Sequence, residues 1–486
     1  MNSILQPLLG SSIVITARFA LCAVAAIVLV SSPAAADILN DEAAGAWDNT
    51  ATWGGATVAA GDTLNIDEYT VTFNKVGAGS DVTLIIPAIS TVNLGGTGTW
   101  YSTYGTNISI TSRVALNFTG GGTLDNSRGQ MFTGGLDWSI AGTSTYYVNA
   151  SGENSYIGNS GALTSTVITG SGTVNKTGAG NLLIRSIANV LDADGATPGN
   201  QTRTNASTFS GTWNVDGGKL EVAVPEFTKY ATVNLQGTVA AVAAFGTTQV
   251  GTLDVPMLSI GTNGGTYVGT QLEAKNLLGT GLVNWQTTSG YFRDVAVGTL
   301  LDPGTASEAG LIRRHTAGSK NDLVMRPGST MAFDVFSASS ADQIDWRDST
   351  SISGVVFDEA NLKVRLFTPT ETLASTSWIL INGDEWIAKS GQGSSTPTAI
   401  ADQAFATIEY LNAAGGALNQ YIGLGDLDGG WYDLGINYLG TSGSINRQVE
   451  LTGSYMAAAI PEPASLALLG MGGMLMVRRS RSSRQK

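Results

Sequence analysis

Hydrophobic and polar residues alternate over many short segments of the chain. In Thr63–Asp67, Val114–Phe118, Ala231–Leu235 and Leu362–Leu366, large or β-branched apolar residues take every second position, with polar residues between them. A period of two predicts β-strands that bury one face. Glycine-rich turns separate these segments. The pattern therefore predicts an all-β body.

A glycine-rich pentapeptide, G-x-G-[TL]-large, recurs among these strands. It begins at Gly96, Gly120, Gly170 and Gly279, and the first two copies are 24 residues apart. Irregular repeats of about this length are typical of a β-solenoid, in which each coil buries its inner face by stacking on its neighbours. We therefore predict an elongated parallel β-helix over residues 37–300; a glycine-rich β-sandwich is the alternative.

The repeat-like pattern of the sequence changes after about residue 300. One helix is predicted over Ala399–Ala414, because Ile400, Ala404, Ile408 and Leu411 share a helical face and two glycines follow. We expect residues 301–455 to form a small β-rich C-terminal capping module or the closing coils of the same stack. The strand candidates there are Gly328–Val335, Ser353–Leu366, Trp378–Ile381, Gly435–Tyr438 and Gln448–Leu451.

The N-terminal segment has the features of an export signal. Twelve apolar residues, Phe19–Val30, follow Arg18, and the small residues Ala34 and Ala36 fit the A-x-A cleavage pattern. We predict a signal peptide over residues 1–36, with cleavage that leaves Asp37 as the new N-terminus. An uncleaved hydrophobic anchor is the alternative.

The C-terminal segment, residues 456–486, has three parts in a fixed order. The tripeptide Pro461-Glu462-Pro463 precedes an uncharged apolar run, Ala464–Val477, which would be about 21 Å long as a helix and short for a stable membrane span. Basic residues follow and would stay cytoplasmic by the positive-inside rule. We expect a transient contact with the inner membrane through this short targeting helix. The basic residues are Arg478, Arg479, Arg481, Arg484 and Lys486.

This order of parts resembles the PEP-CTERM sorting signal of exported proteins from Gram-negative bacteria. The resemblance implies recognition and processing of the tail by an exosortase-like membrane enzyme. It also implies association with exopolysaccharide and the biofilm matrix. The motif concerns where the protein goes and does not describe what the body does.

Two segments of the body resemble the autotransporter-associated β-strand repeat of secreted passenger domains. They are Gly170–Ile184, which contains Lys176, and Phe209–Val222. The resemblance implies a parallel β-helix with an extracellular structural or adhesive role. In such a helix we expect Val174 and Leu182 to lie in the buried inner rows, together with Ile184.

Trp47 and Trp53 resemble the opening of many exported repeat proteins. Their separation by six residues would place both indoles on one face of an extended strand. Aromatic residues at this position either cover the open end of a solenoid or offer a platform on which sugars stack. We expect capping and retain glycan stacking as the alternative.

Composition and charge exclude several classes of function. Charged residues make up 13% of the chain. The chain contains one His and one Cys, so His-rich metal sites, Cys/His zinc sites and thiol catalysis are excluded by count. Of the 25 basic residues, one lies in 1–36 and five in 464–486, which leaves 19 basic against 38 acidic residues between these segments. Such a body should repel nucleic acid.

The candidate chemistry of the body is weak. Asp342, Asp345 and Asp348 are interpreted as a solvated turn, because their spacing does not define a catalytic carboxyl pair. Asp426 and Asp428 begin like a calcium loop, but the EF-hand pattern fails at its later positions, and their calcium binding is left open. His315 is expected in a basic surface loop. We therefore predict no catalytic residue, no metal site and no cofactor.

These observations favour a non-catalytic structural protein at the cell surface or in the extracellular matrix. One alternative is a β-helix polysaccharide lyase or hydrolase, since fold does not decide function. Another is a carbohydrate-binding adhesin that binds sugars through indole side chains. The candidate indoles are Trp47, Trp53, Trp100, Trp138 and Trp213.

Overall fold

Almost all regular structure in the protein is β-strand. Among the residues that the structure describes, helix is limited to a 3-10 turn, Thr50–Trp53, and a short α-helix, Val239–Ala244. The structure is a computed structural model, and both predicted targeting helices fall outside the residues it describes. Those residues are 36–59, 61–73, 91–102, 114–126, 129–130, 136–149, 154–157, 166–184, 207–222, 227–244, 255–260, 272–285, 295–315, 322–347, 354–357, 359–369, 371–383, 385–386, 404–418, 430–440 and 447–457.

Sheet A consists of six parallel strands. Each strand pairs with the strand of the next segment in close register, as when Leu64 lies beside Val92. In chain order the strands are Ile38–Asn40, Thr63–Ile66, Thr91–Gly95, Val114–Gly120, Leu136–Ile140 and Thr166–Gly170.

Sheet B runs through most of the chain and is parallel except for one short hairpin, in which Ser340–Ala341 folds back on Thr330–Ser337. Its remaining strands are Gly45–Ala46, Thr70–Phe73, Thr99–Ser102, Thr123–Asn126, Thr143–Tyr147, Thr173–Thr177, Thr212–Val215, Thr232–Gln236, the first part of Leu272–Trp285, Val295–Pro303, Leu323–Met325, Gly354–Val356, Asn361–Leu366, Glu385–Trp386 and Thr407–Asn412.

Sheet C begins with parallel strands and ends with antiparallel ones. Its parallel strands are Gly129–Gln130, Asn154–Ile157, Asn181–Ile184, Lys219–Val222, Met257–Ile260, the last part of Leu272–Trp285, Leu311–His315 and Gln343–Asp345. The strand Leu373–Gly383 then pairs in parallel with Gln343–Asp345 and antiparallel with Arg447–Met456, which in turn pairs with Gly430–Leu439.

The chain visits the three sheets in turn. Leu136–Ile140 lies in sheet A, Thr143–Tyr147 in sheet B and Asn154–Ile157 in sheet C, after which Thr166–Gly170 returns to sheet A. We call one such passage a coil. Coil length varies, since Thr212 pairs with Thr232 but Thr232 pairs with Asn276. Loops of different length between equivalent strands of successive coils explain the irregular period in the sequence.

Parallel pairing continues across residue 300. Val295–Pro303 pairs with Thr330–Ser337, which pairs with Asn361–Leu366, which pairs with Thr407–Asn412. The predicted helix over Ala399–Ala414 is wrong where the structure describes it, because Thr407–Asn412 is a strand. Backbone pairing with Asn361–Leu366 outweighs the local helical spacing of apolar residues, and Gly415 lies in a turn at its end.

The interior is a continuous apolar core formed by the inward residues of each strand. The alternating segments predicted from the sequence are strands, and Val174, Leu182 and Ile184 are fully buried as expected. Aromatic rings also pack edge-to-face inside, with the Trp138 and Trp213 ring centroids 5.7 Å apart. Each coil therefore gains its buried surface from its neighbours along the stack.

Glycines form the corners between sheets A and B because the coils approach too closely there for a side chain. Gly170 has a φ of 99°, and a Cβ on it would lie 2.1 Å from the carbonyl oxygen of Ile140 in the preceding coil. The recurring pentapeptides at Gly96, Gly120 and Gly170 all span this corner. The copy at Gly279 lies instead between the sheet B and sheet C parts of one strand.

Asparagine side chains form ladders on the outward faces of the sheets. In sheet A, Asn65 donates to Asn40, Asn93 to Asn65 and Asn117 to Asn93, each at 2.7 Å. A carboxamide both donates and accepts, so Asn65 and Asn93 each bond to the coil before and the coil after. The ladders hold the register of neighbouring coils.

Lys176 is a fully buried cation that joins two coils. Its Nζ donates to the carbonyl oxygens of Gly178 and Gly217, both at 2.6 Å. Burial of an ammonium group is costly unless its hydrogen bonds are made. Lys176 therefore fixes the corner between sheets B and C in two successive coils.

Candidate functional site

The predicted targeting residues fall mostly outside the described part of the chain. At the signal cleavage position, Ala36 and Asp37 are exposed. The backbone N–H of Asp37 donates to Oδ1 of the buried Asp62 at 3.0 Å, and Oδ2 of Asp62 accepts from the N–H of Ala59 at 2.7 Å. Outside the described residues lie Ala34, Pro461, Glu462, Pro463, Arg478, Arg479 and Arg481.

Trp47 and Trp53 lie at the first coil but not on one face of a strand, so that expectation is wrong. Asn49 caps the 3-10 turn Thr50–Trp53 by accepting from the N–H of Ala51, and this turn folds Trp53 inward. Trp53 is buried, and its Nε1 donates to the carbonyl oxygen of Trp47 at 2.6 Å. Trp47 is partly buried against the same core. Both side chains are thus in positions that suit capping, which remains a prediction.

The other indoles considered for sugar stacking are inside the core. Trp100, Trp138 and Trp213 are fully buried. A ring that stacks on a sugar must present a face to solvent, and these rings do not.

The carboxylate group predicted as a solvated turn is mostly structural, and the expectation is wrong for Asp342. Asp342 is completely buried; its Oδ1 accepts from the N–H of Gly310 and its Oδ2 from the N–H of Asp334, both at 2.7 Å. Asp345 pairs with the exposed Arg347, whose Nε lies 2.7 Å from Oδ1. Asp348 lies outside the described residues.

Asp342 belongs to a cluster of charged residues on the outer side of sheet B, which we call the acidic corner: Asp302, Asp334, Asp342 and Arg365. Arg365 donates two hydrogen bonds to the carboxylate of Asp334, from Nε at 2.6 Å and from Nη2 at 2.5 Å. This bidentate pair compensates part of the cost of burying Asp334.

Burial dominates the protonation of the acidic corner. It raises the pKa of Asp342 to about 8, against the lowering effect of the two backbone N–H donors. Burial and the nearby Asp334 raise the pKa of Asp302 to about 6. The pKa of Asp334 is also raised by burial, in spite of its bonds to Arg365. With a pKa of about 8, Asp342 is mostly protonated at pH 7, whereas Asp302, with a pKa of about 6, is mostly ionised there.

A groove of about 750 Å³ lies beside the acidic corner, where sheets B and C meet. Its walls are the end of strand Thr232–Gln236, the loop 304–310 and the hairpin formed by Thr330–Ser337 and Ser340–Ala341. Asp342 connects two walls of the groove, because its carboxyl group accepts hydrogen bonds from the N–H of Gly310 in the loop and from the N–H of Asp334 in the hairpin strand.

His315 and its neighbour are buried in a strand, so the expected surface loop is wrong. Leu311–His315 pairs with the last part of Leu272–Trp285 in sheet C, and both Arg314 and His315 are buried. Burial lowers the pKa of His315, and the nearby Lys219 and Arg313 lower it further. His315 is therefore neutral at pH 7.

Among the described residues, no group of three or more His, Cys, Asp or Glu side chains is placed to hold a metal ion. Asp426 and Asp428 lie outside those residues. In the described parts of the chain, no helix is long and apolar enough to cross a bilayer.

Sequence reasoning missed most of the acidic corner and all of the groove. A charged residue within an alternating strand, such as Asp334 or Arg365, is a usable signal in a chain with few charges. The groove residues Gln236, Glu308 and Phe336 carry no comparable signal, because long loops of unrelated sequence bring them together.

Comparison with known proteins identifies the tail. The chain matches the family model of the PEP-CTERM protein-sorting motif over residues 459–482. No curated protein and no solved structure matches the chain. The predicted sorting signal is therefore confirmed, and it indicates export to the cell envelope or surface through exosortase, a membrane enzyme. The resemblance to autotransporter-associated repeats is not supported by a family match and stays a prediction.

Proposed function

We propose that this chain is an exported, non-catalytic structural protein of the cell surface or the extracellular matrix, associated with exopolysaccharide or biofilm. The observation that carries the proposal is the sorting motif over residues 459–482. It follows a body of stacked parallel strands, an architecture suited to an extended, rigid element outside the cell.

We further propose that the body is a parallel β-helix. In-register stacking in three sheets, inward apolar rows and outward asparagine ladders support this assignment. The division of the chain at residue 300 remains a prediction. Parallel pairing from Val295–Pro303 to Thr407–Asn412 supports the view that residues 301–455 begin as closing coils of the same stack. The antiparallel strands of sheet C would then form the cap.

The non-catalytic part of the proposal rests on the environment of the described carboxylates. Asp342 is enclosed, and both of its oxygens bond to backbone N–H groups that shape the protein. Asp334 is neutralised by Arg365. A general acid or base must reach the substrate, and these two groups are instead engaged in holding loops and strands.

A localisation experiment tests the sorting role. Pro461-Glu462-Pro463 is replaced by three alanines in the full chain, and cells are fractionated with blotting for the body. We expect the protein to accumulate in the inner membrane or to change its C-terminal processing, with an unaltered far-UV spectrum. A matched variant with Ser483 and Gln485 changed to Ala, outside residues 459–482, should behave as the parent. Unchanged location and processing of the triple-alanine variant would contradict the proposal.

A second experiment tests the absence of catalysis. The exported protein is incubated with neutral and acidic polysaccharides, and reducing ends and unsaturated products are measured. We expect no release above the buffer control. Release that a single substitution such as Asp302→Asn abolishes would overturn the non-catalytic assignment.

A further inference from the structure

The geometry points to a binding site for a neutral oligosaccharide or polysaccharide segment in the groove beside the acidic corner. We define the groove by Gln236, Glu308, Phe336, Ser340 and Gln343, which lie in its lining. This site differs from the Trp47 and Trp53 pair considered from the sequence.

The groove crosses successive coils, which suits a chain-like ligand. Gln236 pairs with Thr280 of the next coil, Gly304 bonds to Gly279, and Phe336 belongs to the strand after that. Four neighbouring sheet B strands separated by about 4.8 Å give a length of about 14 Å. A ligand lying in the groove would therefore run along the stack.

The polar side chains in the groove have unused hydrogen-bonding capacity. The side chains of Gln236, Glu308 and Gln343 are exposed and make no hydrogen bond with any described residue. Two carboxamides and one carboxylate offer both donors and acceptors, as the hydroxyl groups of a sugar require. Ser340 adds a hydroxyl to the same lining.

Phe336 supplies an apolar face in a fixed orientation. Its ring stacks on Phe367 with centroids 4.5 Å apart, and the guanidinium of Arg365 lies 5.9 Å from the Phe367 centroid. Phe336 is half-buried at the groove. An oriented aromatic ring with polar groups around it matches the alternation of apolar faces and hydroxyl edges in sugars.

Other ligand classes fit this groove less well. Its described lining contains Glu308 but no Lys or Arg, so it lacks the cations that would attract phosphate or polyuronate. An extended peptide would add to an open sheet edge, but Thr232–Gln236 is already paired on both sides. A neutral glycan needs neither a cation nor a strand edge.

Binding measurements on the exported full chain test this inference. Maltohexaose, cellohexaose and xylohexaose serve as neutral probes in isothermal titration, and polygalacturonate serves as the anionic comparison. We expect at least one hexaose to bind and polygalacturonate not to bind. Phe336→Leu, which keeps bulk but removes the ring, should weaken binding about tenfold. The double variant Glu308→Ala with Gln343→Ala should weaken hexaose binding more than Phe336→Leu does. Both side chains are exposed, so we expect the fold to tolerate their removal.

Tyr230→Ala provides the matched control, because Tyr230 is an exposed aromatic residue outside the groove lining. The affinity of the Tyr230→Ala variant for the hexaose should equal that of the parent. The inference is overturned if no hexaose binds, if the groove variants bind as the parent does, or if polygalacturonate binds more tightly than the hexaoses. The sorting proposal is read from cell fractions, so either idea can fail while the other stands.

Discussion

Acidification should stabilise the corner of the fold that contains Asp342, and Asp342→Asn should remove most of that response. The Asp342 side chain is fully buried and holds the N–H groups of Gly310 and Asp334. Burial raises its pKa from 3.8 to about 8, and the carboxylates of Asp334 and Asp302 act in the same direction. The folded protein therefore keeps a proton that the unfolded chain has already lost.

The sign and size of the effect follow from proton linkage. Asp342 contributes full stability below pH about 4, and this contribution is lost as the pH rises towards 8. One proton changes the free energy of unfolding by about 1.4 kcal/mol per pH unit, so Asp342 accounts for a loss of about 3 kcal/mol between pH 5 and pH 7. Asp302, with a pKa of about 6, adds a loss of the same sign between pH about 4 and 6.

The asparagine variant separates the two roles of Asp342. An amide stays neutral at every pH but has one acceptor oxygen, so it can satisfy one of the two backbone N–H groups. The lost bond should cost about 1–3 kcal/mol throughout. Asp342→Asn should therefore be less stable than the parent at pH 5, and the difference should shrink or reverse by pH 8.

Urea unfolding at pH 5, 6, 7 and 8 measures this, with tryptophan fluorescence as the signal, since the nearby Trp346 is fully buried. Asp345→Asn is the control, because Asp345 pairs with the exposed Arg347 and should leave the pH response intact. A stability difference between the parent and Asp342→Asn that stays constant from pH 5 to pH 8 would refute the reasoning, as it would mean that Asp342 is ionised in the fold.

Three further outcomes are expected. Leu182→Asp, which places a charge in the inner row, should destabilise its coils by about 3–5 kcal/mol in thermal melts, whereas the outward substitution Thr173→Asp should change little. Lys176→Ala should remove the side-chain donor from the buried carbonyl of Gly217 and the half-buried carbonyl of Gly178, cost about 1–3 kcal/mol and speed amide hydrogen exchange at the sheet B–sheet C corner; unchanged exchange would contradict its role. Cleavage after Ala36 would put the new ammonium group at the Asp37 nitrogen, 3.0 Å from Asp62, so Asp62→Asn should lower the melting temperature of the cleaved protein more than that of the uncleaved precursor; equal losses in both forms would argue against this ion pair.

The sequence by itself determined the strands and the destination of the protein. Alternation at Thr63–Ile66 and Asn361–Leu366 depends on which residues are apolar, and a strand with one buried face needs no more than that. The sorting motif occupies one short stretch, residues 459–482, so its order of parts is visible in the sequence without a fold. The inner position of Leu182 follows from the same period of two.

Tertiary structure decided whatever depends on the neighbouring coil. Thr407–Asn412 has the helical spacing of apolar residues, but it is a strand because its backbone pairs with that of Asn361–Leu366. In the sequence, Asp342 has the pattern of a solvated turn residue. In the fold it is buried, and it bonds to the N–H of Gly310, which is distant along the chain, and to the N–H of Asp334, which lies across the hairpin. Parallel pairing joins residues that are 20 positions apart in one case, Thr212 with Thr232, and 46 in another, Asn361 with Thr407. Loops of such unequal length leave no fixed period, so burial at the acidic corner and the lining of the groove arise only when the coils are assembled.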